Sequence, residues 1–161
     1  MDTLINAALW IAITFVAIMA GVYFTFSAFV MRALDALGAP AGMLAMQSIN
    51  RIIVQSGFLP IFFASTLLCA GLAIFAALDL SAPGGSALLL GSAAYVVGMF
   101  VVTVAGNVPL NNALEATSVE SPEASAIWAM YLAKWSLWNH VRTLSCTLAL
   151  IGLVLALTQR L

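Results

Sequence analysis

The residues of this chain that could do chemistry are amides, guanidinium groups and one imidazole. Asn50 is followed by Arg51, Asn107 by Asn111, and Trp135 by Asn139, His140 and Arg142. No carboxylate accompanies them inside an apolar stretch. A set so rich in donors suits the stabilisation of an oxyanion. His140 is the only histidine, and imidazole alone has an unperturbed pKa near neutrality, so it is the candidate base. It lies roughly 200° around a helix from Arg142, however, so the two cannot both point straight into one narrow pocket. Trp128, Tyr131, Trp135, Trp138/Asn139 and Arg142 recur at three- and four-residue intervals, along one helix face. Aromatic planes beside a guanidinium suit a flat aromatic ligand, through stacking and cation–π contact. An interfacial aromatic belt with a snorkelling arginine would give the same spacing. A lone histidine with no carboxylate in the spans argues against an iron or zinc centre. A copper centre of Met and Cys stays open but is disfavoured because Cys69, Cys146 and the methionines are scattered, so no metal site is expected.

Such residues need elements to position them, and hydropathy supplies these. No charge lies between Asp2 and Arg32, Arg51 and Asp79, or Asp79 and Glu115, gaps of 29, 27 and 35 residues. A bilayer core ~30 Å thick needs roughly 20 apolar residues as a helix. The gap from Arg142 to Arg160 holds only 17 residues, so the last helix is expected to start well before it or to hold Arg142 at the hydrocarbon edge. With 64% hydrophobic and 7% charged residues, the chain reads as an integral membrane protein. It is expected to be all-α, a single domain over 1–161: a four-transmembrane-helix up-down bundle with a short amphipathic helix between helices 1 and 2. The first helix is placed from Leu4 to Leu34 and the amphipathic segment from Ala41 to Asn50. The second runs from Ile52 to Leu78, where Pro60 would kink it. The third runs from Ala87 to Gly106, broken by Asn107-Val108-Pro109. The fourth follows Ser121 as N-cap and Pro122 as first residue, and continues to Thr158.

Several classes are set aside. A net charge of −1 excludes a nucleic-acid partner. The start Met1-Asp2-Thr3-Leu4 carries no basic residue, which argues for an uncleaved first helix as an anchor. The absence of Cys-x-x-Cys argues against disulfide exchange, leaving Cys69 and Cys146 as small hydrophobes. Ala17/Gly21, Ala94/Gly98 and Gly152/Ala156 allow close helix approach, read first as packing within the chain; a homo-oligomer stays open. Arg32, Arg51, Lys134 and Arg142 face Arg160 alone, so the long connections are expected on the cytoplasmic side, of a bacterial inner membrane, with both termini away from the cytoplasm.

Four motifs, in order, carry a resemblance: Ser27-Ala28-Phe29-Val30-Met31, Met46-Gln47-Ser48-Ile49-Asn50-Arg51, Asn107-Val108-Pro109-Leu110-Asn111, and Trp135-x-x-Trp-Asn-His-x-Arg142-Thr143. Together they resemble the anthrone oxygenase-like family of small four-helix membrane proteins. A few fungal members are tied to a reaction, oxidation of an anthrone to an anthraquinone by O₂ with no evident cofactor. The resemblance therefore implies a lipophilic phenolic or anthrone-type substrate, a monooxygenase reaction and no cofactor. On that reading His140, Arg142 and Asn139 form the catalytic group, and Asn50, Arg51, Asn107, Asn111 and Trp135 bind substrate. The alternative is a non-catalytic binding or accessory protein whose Asn/Arg network locks the helices together. A small-solute transporter is disfavoured, because no acidic residue sits mid-span to couple proton movement. A cavity of a few hundred Å³ beside Arg142 and Asn111 would separate enzyme from scaffold.

Overall fold

The computed structural model describes residues 2–161, and among them there are only helices. Four are long and apolar enough to cross a bilayer: α1 (Thr3–Ala36), α3 (Phe58–Leu78), α4 (Gly85–Glu115) and α5 (Ala124–Thr158). This is an integral membrane protein built as an all-α bundle of four such spans. Between α1 and α3 lies α2 (Ala39–Ile53), the amphipathic helix. Gly38, at φ 82°, turns the chain out of α1, and Pro40 opens α2 in the first turn, where its missing N–H leaves no bond unmade.

The boundaries depart from expectation in three places. Residues 54–57 form a turn, so α2 runs on to Ile53 and α3 starts at Phe58. Pro60 thereby falls in the first turn of α3, where it replaces no helical hydrogen bond and has no cause to kink. The Asn107-Val108-Pro109 break does not occur. A wide π-helical turn over Thr103–Asn107 leads directly into Val108–Glu115, and the loosened turn makes room for the proline ring. Finally, α5 begins at Ala124 with no side-chain cap; the Ser121 hydroxyl instead accepts the Glu123 N–H at 3.2 Å.

Apolar side chains cannot drive helices together in lipid, so close packing must. On α1 the buried positions Leu9, Ala12, Val16, Met19 and Tyr23 alternate at three and four residues. This is the seam of a left-handed bundle. Beyond Tyr23 the same alternation would bury Val30; a π turn over Phe26–Val30 takes up one extra residue, and Met31 and Leu34 are buried instead. Against α1 and α4, α5 lays one continuous stripe: Trp128, Tyr131, Trp135, Asn139, Arg142, Cys146, Ala149 and Leu153. Gly91 and Gly152 bring α4 and α5 into backbone contact, since a Cβ on Gly152 would lie 2.8 Å from Gly91 Cα. Gly84 meets Ala156 and Gly98 meets Ser145, whereas Gly21 faces open space. The small-residue pairs on α4 and α5 thus serve packing within the chain.

At the other end, α2 covers a second core of Met31, Met43, Met46, Leu114, Trp128, Tyr131 and Trp135. It sits so close that a Cβ on Gly42 would strike the Leu34 carbonyl and lie 2.9 Å from Trp128 Cζ2. Gln47 pins it further, donating to the carbonyls of Leu114 (2.8 Å) and Thr117 (3.0 Å). Leu114 lies in the last turn of α4 and Thr117 just beyond it, where carbonyls have no i+4 helical N–H to accept.

Candidate functional site

The inward stripe of α5 turns three aromatic rings into the protein rather than towards an interfacial belt. Trp128, Tyr131 and Trp135 are buried. They stack in sequence, with centroids 5.8 and 6.0 Å apart and planes 12° and 24° apart. One helical turn beyond Trp135 the stripe becomes polar, at Asn139 and Arg142.

Arg142 is only 5% exposed. Its guanidinium carbon lies 4.3 Å from the Tyr23 ring centroid and 5.1 Å from that of Trp135. Nη2 donates to Asn139 Oδ1 at 2.8 Å, and Nη1 to Thr103 Oγ1 at 3.3 Å. Nε is buried without a hydrogen-bond partner. All of these contacts are to neutral groups, and no described Asp or Glu forms an ion pair with Arg142. The positive charge of Arg142 is therefore held in a low-dielectric interior with no counter-ion, a costly arrangement.

Asn139 sets the geometry of that charge. Its Nδ2 donates to Tyr23 O and to Ser27 Oγ, each at 2.8 Å. Both amide hydrogens are then committed, so Oδ1 must face Arg142. Ser27 in turn contacts Thr143 Oγ1 and His140 Nδ1, both at 2.9 Å.

A cavity of about 270 Å³ opens beside this group. Four helical spans and α2 all contribute to its wall. Tyr23 and Phe26 come from α1, Asn50 from α2, Phe62 from α3, Thr103 and Asn111 from α4, and Trp135 and Arg142 from α5. The aromatic slot includes Phe26 and Trp135, with centroids 5.5 Å apart. Asn111 Oδ1 accepts both the Tyr131 hydroxyl (2.9 Å) and Trp135 Nε1 (2.8 Å); this orients the amide and leaves Nδ2 as an uncommitted donor. Tyr23 OH and Asn50 Nδ2 are also buried without a well-formed hydrogen bond. The wall thus offers donors and no carboxylate, in an otherwise apolar lining. It can hold a small ring system bearing an oxyanion.

The structure sorts the sequence-derived residues into two groups. Asn50, Asn111, Trp135 and Arg142 line the cavity. Asn139, Asn107, Arg51 and His140 do not. Asn139 supports Arg142 from behind. Asn107 is buried and donates to Trp135 O at 3.2 Å, a helix-to-helix tie. Arg51 is on the surface, paired with Glu115 at 2.6 Å. His140 is exposed and stands outside the cavity, on the far side of Ser27. Sequence reasoning passed over Tyr23, Phe26, Phe62, Phe100 and Thr103. Phe26 and Thr103 lie in the π-helical turns described above and Phe100 in a third, Val96–Val101; such turns often mark functional sites, and no spacing rule announces them.

No curated protein and no solved structure matches this chain. The family comparison does match, over residues 55–152. That range contains Asn111, Trp135 and Arg142 of the cavity wall, together with Asn107, Asn139 and His140; Tyr23 and Asn50 precede it. Since the matched segment is more than half of the sequence, the chain belongs to the anthrone oxygenase family.

Proposed function

We propose that the cavity oxygenates a lipophilic phenolic or anthrone-type substrate with O₂ and without a cofactor. The observation that carries this reading is Arg142, a buried guanidinium with no counter-ion facing an aromatic slot. Family membership supports it at the level of the family alone.

The reaction would convert a benzylic CH₂ flanked by two aromatic rings to a ketone. Loss of one proton leaves an anion whose charge rests largely on the ring-system oxygen. Arg142, with Asn111 and Asn50, would hold that oxyanion. The electron-rich anion reduces O₂ by one electron, and the radical pair combines into a carbon–hydroperoxide. Loss of the second C–H proton and cleavage of the O–O bond give the ketone and water. One oxygen atom ends in product and one in water, and the substrate supplies all the electrons. The described wall offers no carboxylate or imidazole, so we assign the first proton to water rather than to His140.

The non-catalytic alternative draws on Asn107 and Asn139, whose bonds to backbone carbonyls tie helices together. It leaves the uncompensated charge of Arg142 without a purpose. Oxygen uptake by the purified protein with anthrone decides between them. Uptake above the spontaneous rate, falling about 10²-fold in Arg142→Lys, is the expected result, because lysine keeps the charge and loses the planar fork. No uptake by the folded wild type would sink the oxygenase reading.

For the cellular setting we propose the bacterial inner membrane, with α2 and the connection 116–123 on the cytoplasmic side. With Arg142 buried in the bundle, Arg32, Arg51 and Lys134 still outnumber Arg160.

A further inference from the structure

The cavity has two kinds of wall, and the difference fixes where a ligand comes from. Towards the polar end it is roofed by α2, whose Met46, Ile49 and Asn50 reach into it. That roof is fastened by Gln47 to the α4 carbonyls and by Arg51 to Glu115. Towards the bilayer the wall is thin. Phe63, Val104 and Val108 line the cavity, and they are 50%, 52% and 39% exposed.

The helices that carry these residues are unequal in length, 21 residues for α3 and 31 for α4. α3 packs along Gly85–Tyr95, where Ser65 Oγ and Tyr95 OH are hydrogen-bonded at 2.7 Å, and still touches Val96–Val101. It has at most marginal contact with residues 103–115. The Ser65–Tyr95 and Phe62–Phe100 pairs put Phe58, the start of α3, about opposite Thr103, so α4 runs on past α3 and the gap beside its first turn lies at the level of the cavity.

We propose that the cleft between α3 and α4 is a lateral portal through which ligand passes between the bilayer and the cavity. Its lips are wholly apolar, so only an uncharged molecule crosses them cheaply. Inside, Arg142 favours the ionised form. The geometry therefore selects a membrane-partitioning weak acid, neutral in transit and anionic when bound. Lipid already solvates such a molecule's rings, so moving them into the cavity gains little hydrophobic energy. Selection against lipid then falls to the guanidinium and the amides, which is why a greasy pocket carries uncommitted donors. The inference rests on the cavity that the proposed function uses, and it stands whether or not oxygen is consumed.

The test needs no ligand. Thr103→Cys places a thiol on the cavity wall beside Arg142, whose charge favours the reactive thiolate. Cys69 and Cys146 are fully buried, and the parent protein gives the background. In nanodiscs, N-phenylmaleimide dissolved in the lipid phase should label Thr103→Cys, whereas a sulfonated thiosulfonate confined to water should react at least about tenfold more slowly. Adding Val104→Trp at the lip should slow the lipid reagent by a further factor of about ten; Val108→Trp repeats the measurement at a second point of the same wall. Equal or faster labelling from water would place the route under α2 and overturn the proposal. So would no labelling by either reagent, or lip variants that fold and label at the parent rate. Because no turnover is measured, an inactive protein that labels from lipid would sink the oxygenase reading alone.

Discussion

Arg142 is where stability and function pull apart. Burying a guanidinium without a carboxylate costs several kcal/mol, against which its hydrogen bonds and ring contacts return only part. Arg142→Met keeps the volume and removes the charge, while stranding Asn139 Oδ1 at a cost of about 1–3 kcal/mol. We expect thermal unfolding of Arg142→Met in detergent at or above the wild-type temperature, with oxygen uptake lost. A marked destabilisation would mean that the guanidinium is structural mortar. Asn139→Asp makes the complementary change. It puts a carboxylate where Oδ1 now lies 2.8 Å from Nη2, cancels the charge, and gives up the donors to Tyr23 O and Ser27. Uptake should fall about 10–100-fold, since the neutralised guanidinium no longer draws the substrate oxyanion. His140→Ala, by contrast, should leave uptake within about threefold of wild type, because the ring stands outside the cavity and the usual loss on removing a general base is 10²–10⁴. A loss of that size would restore His140 as the base.

The elements show which parts of this arrangement were legible beforehand. Lipid makes charge and amide residues conspicuous, so the four spans and the polar end could be read from the gaps between charges. The α5 stripe could be read as well, because Trp135, Asn139 and Arg142 keep the three/four spacing that the helix itself enforces. What could not be read is what each polar group finds opposite. Asn107 and Asn139 look like ligands in sequence and act as ties, because their partners are the carbonyls of Trp135 and Tyr23, which no side-chain pattern reveals. The π turns were equally hidden, and the one over Phe26–Val30 shifts the seam so that Met31 is buried in place of Val30. Helix packing offers its own test. Gly42 lets α2 sit on α1 and Trp128, and an added methyl would meet the rigid Leu34 backbone. Gly42→Ala should therefore lift α2, lower the unfolding temperature by an amount equivalent to about 1–3 kcal/mol, and let the water-confined thiosulfonate reach Thr103→Cys. Gly21→Ala, in open space, is the silent control.

Seen whole, the molecule is asymmetric along the membrane normal. Nearly all its polar chemistry, its roof and its cavity lie at one end, and the terminal end is an apolar seam closed by glycine contacts. Orientation is therefore a statement about which compartment borders the site. By sequence alone Arg142 counts among the cytoplasmic charges, but a buried guanidinium is part of the fold and does not vote on topology. Without it the balance is Arg32, Arg51 and Lys134 against Arg160. Asp35, Glu115, Glu120 and Glu123 lie on the same side as the three, yet acidic residues contribute little to orientation. The proposed topology makes a concrete prediction: alkaline phosphatase fused after Leu161 should be active in cells, and green fluorescent protein fused there should be dark. Glowing protein and a silent phosphatase would invert the bundle and put the α2 roof outside. The lateral portal would survive that inversion, because it opens into the hydrocarbon from either orientation; only the compartment that receives the released proton and water would change.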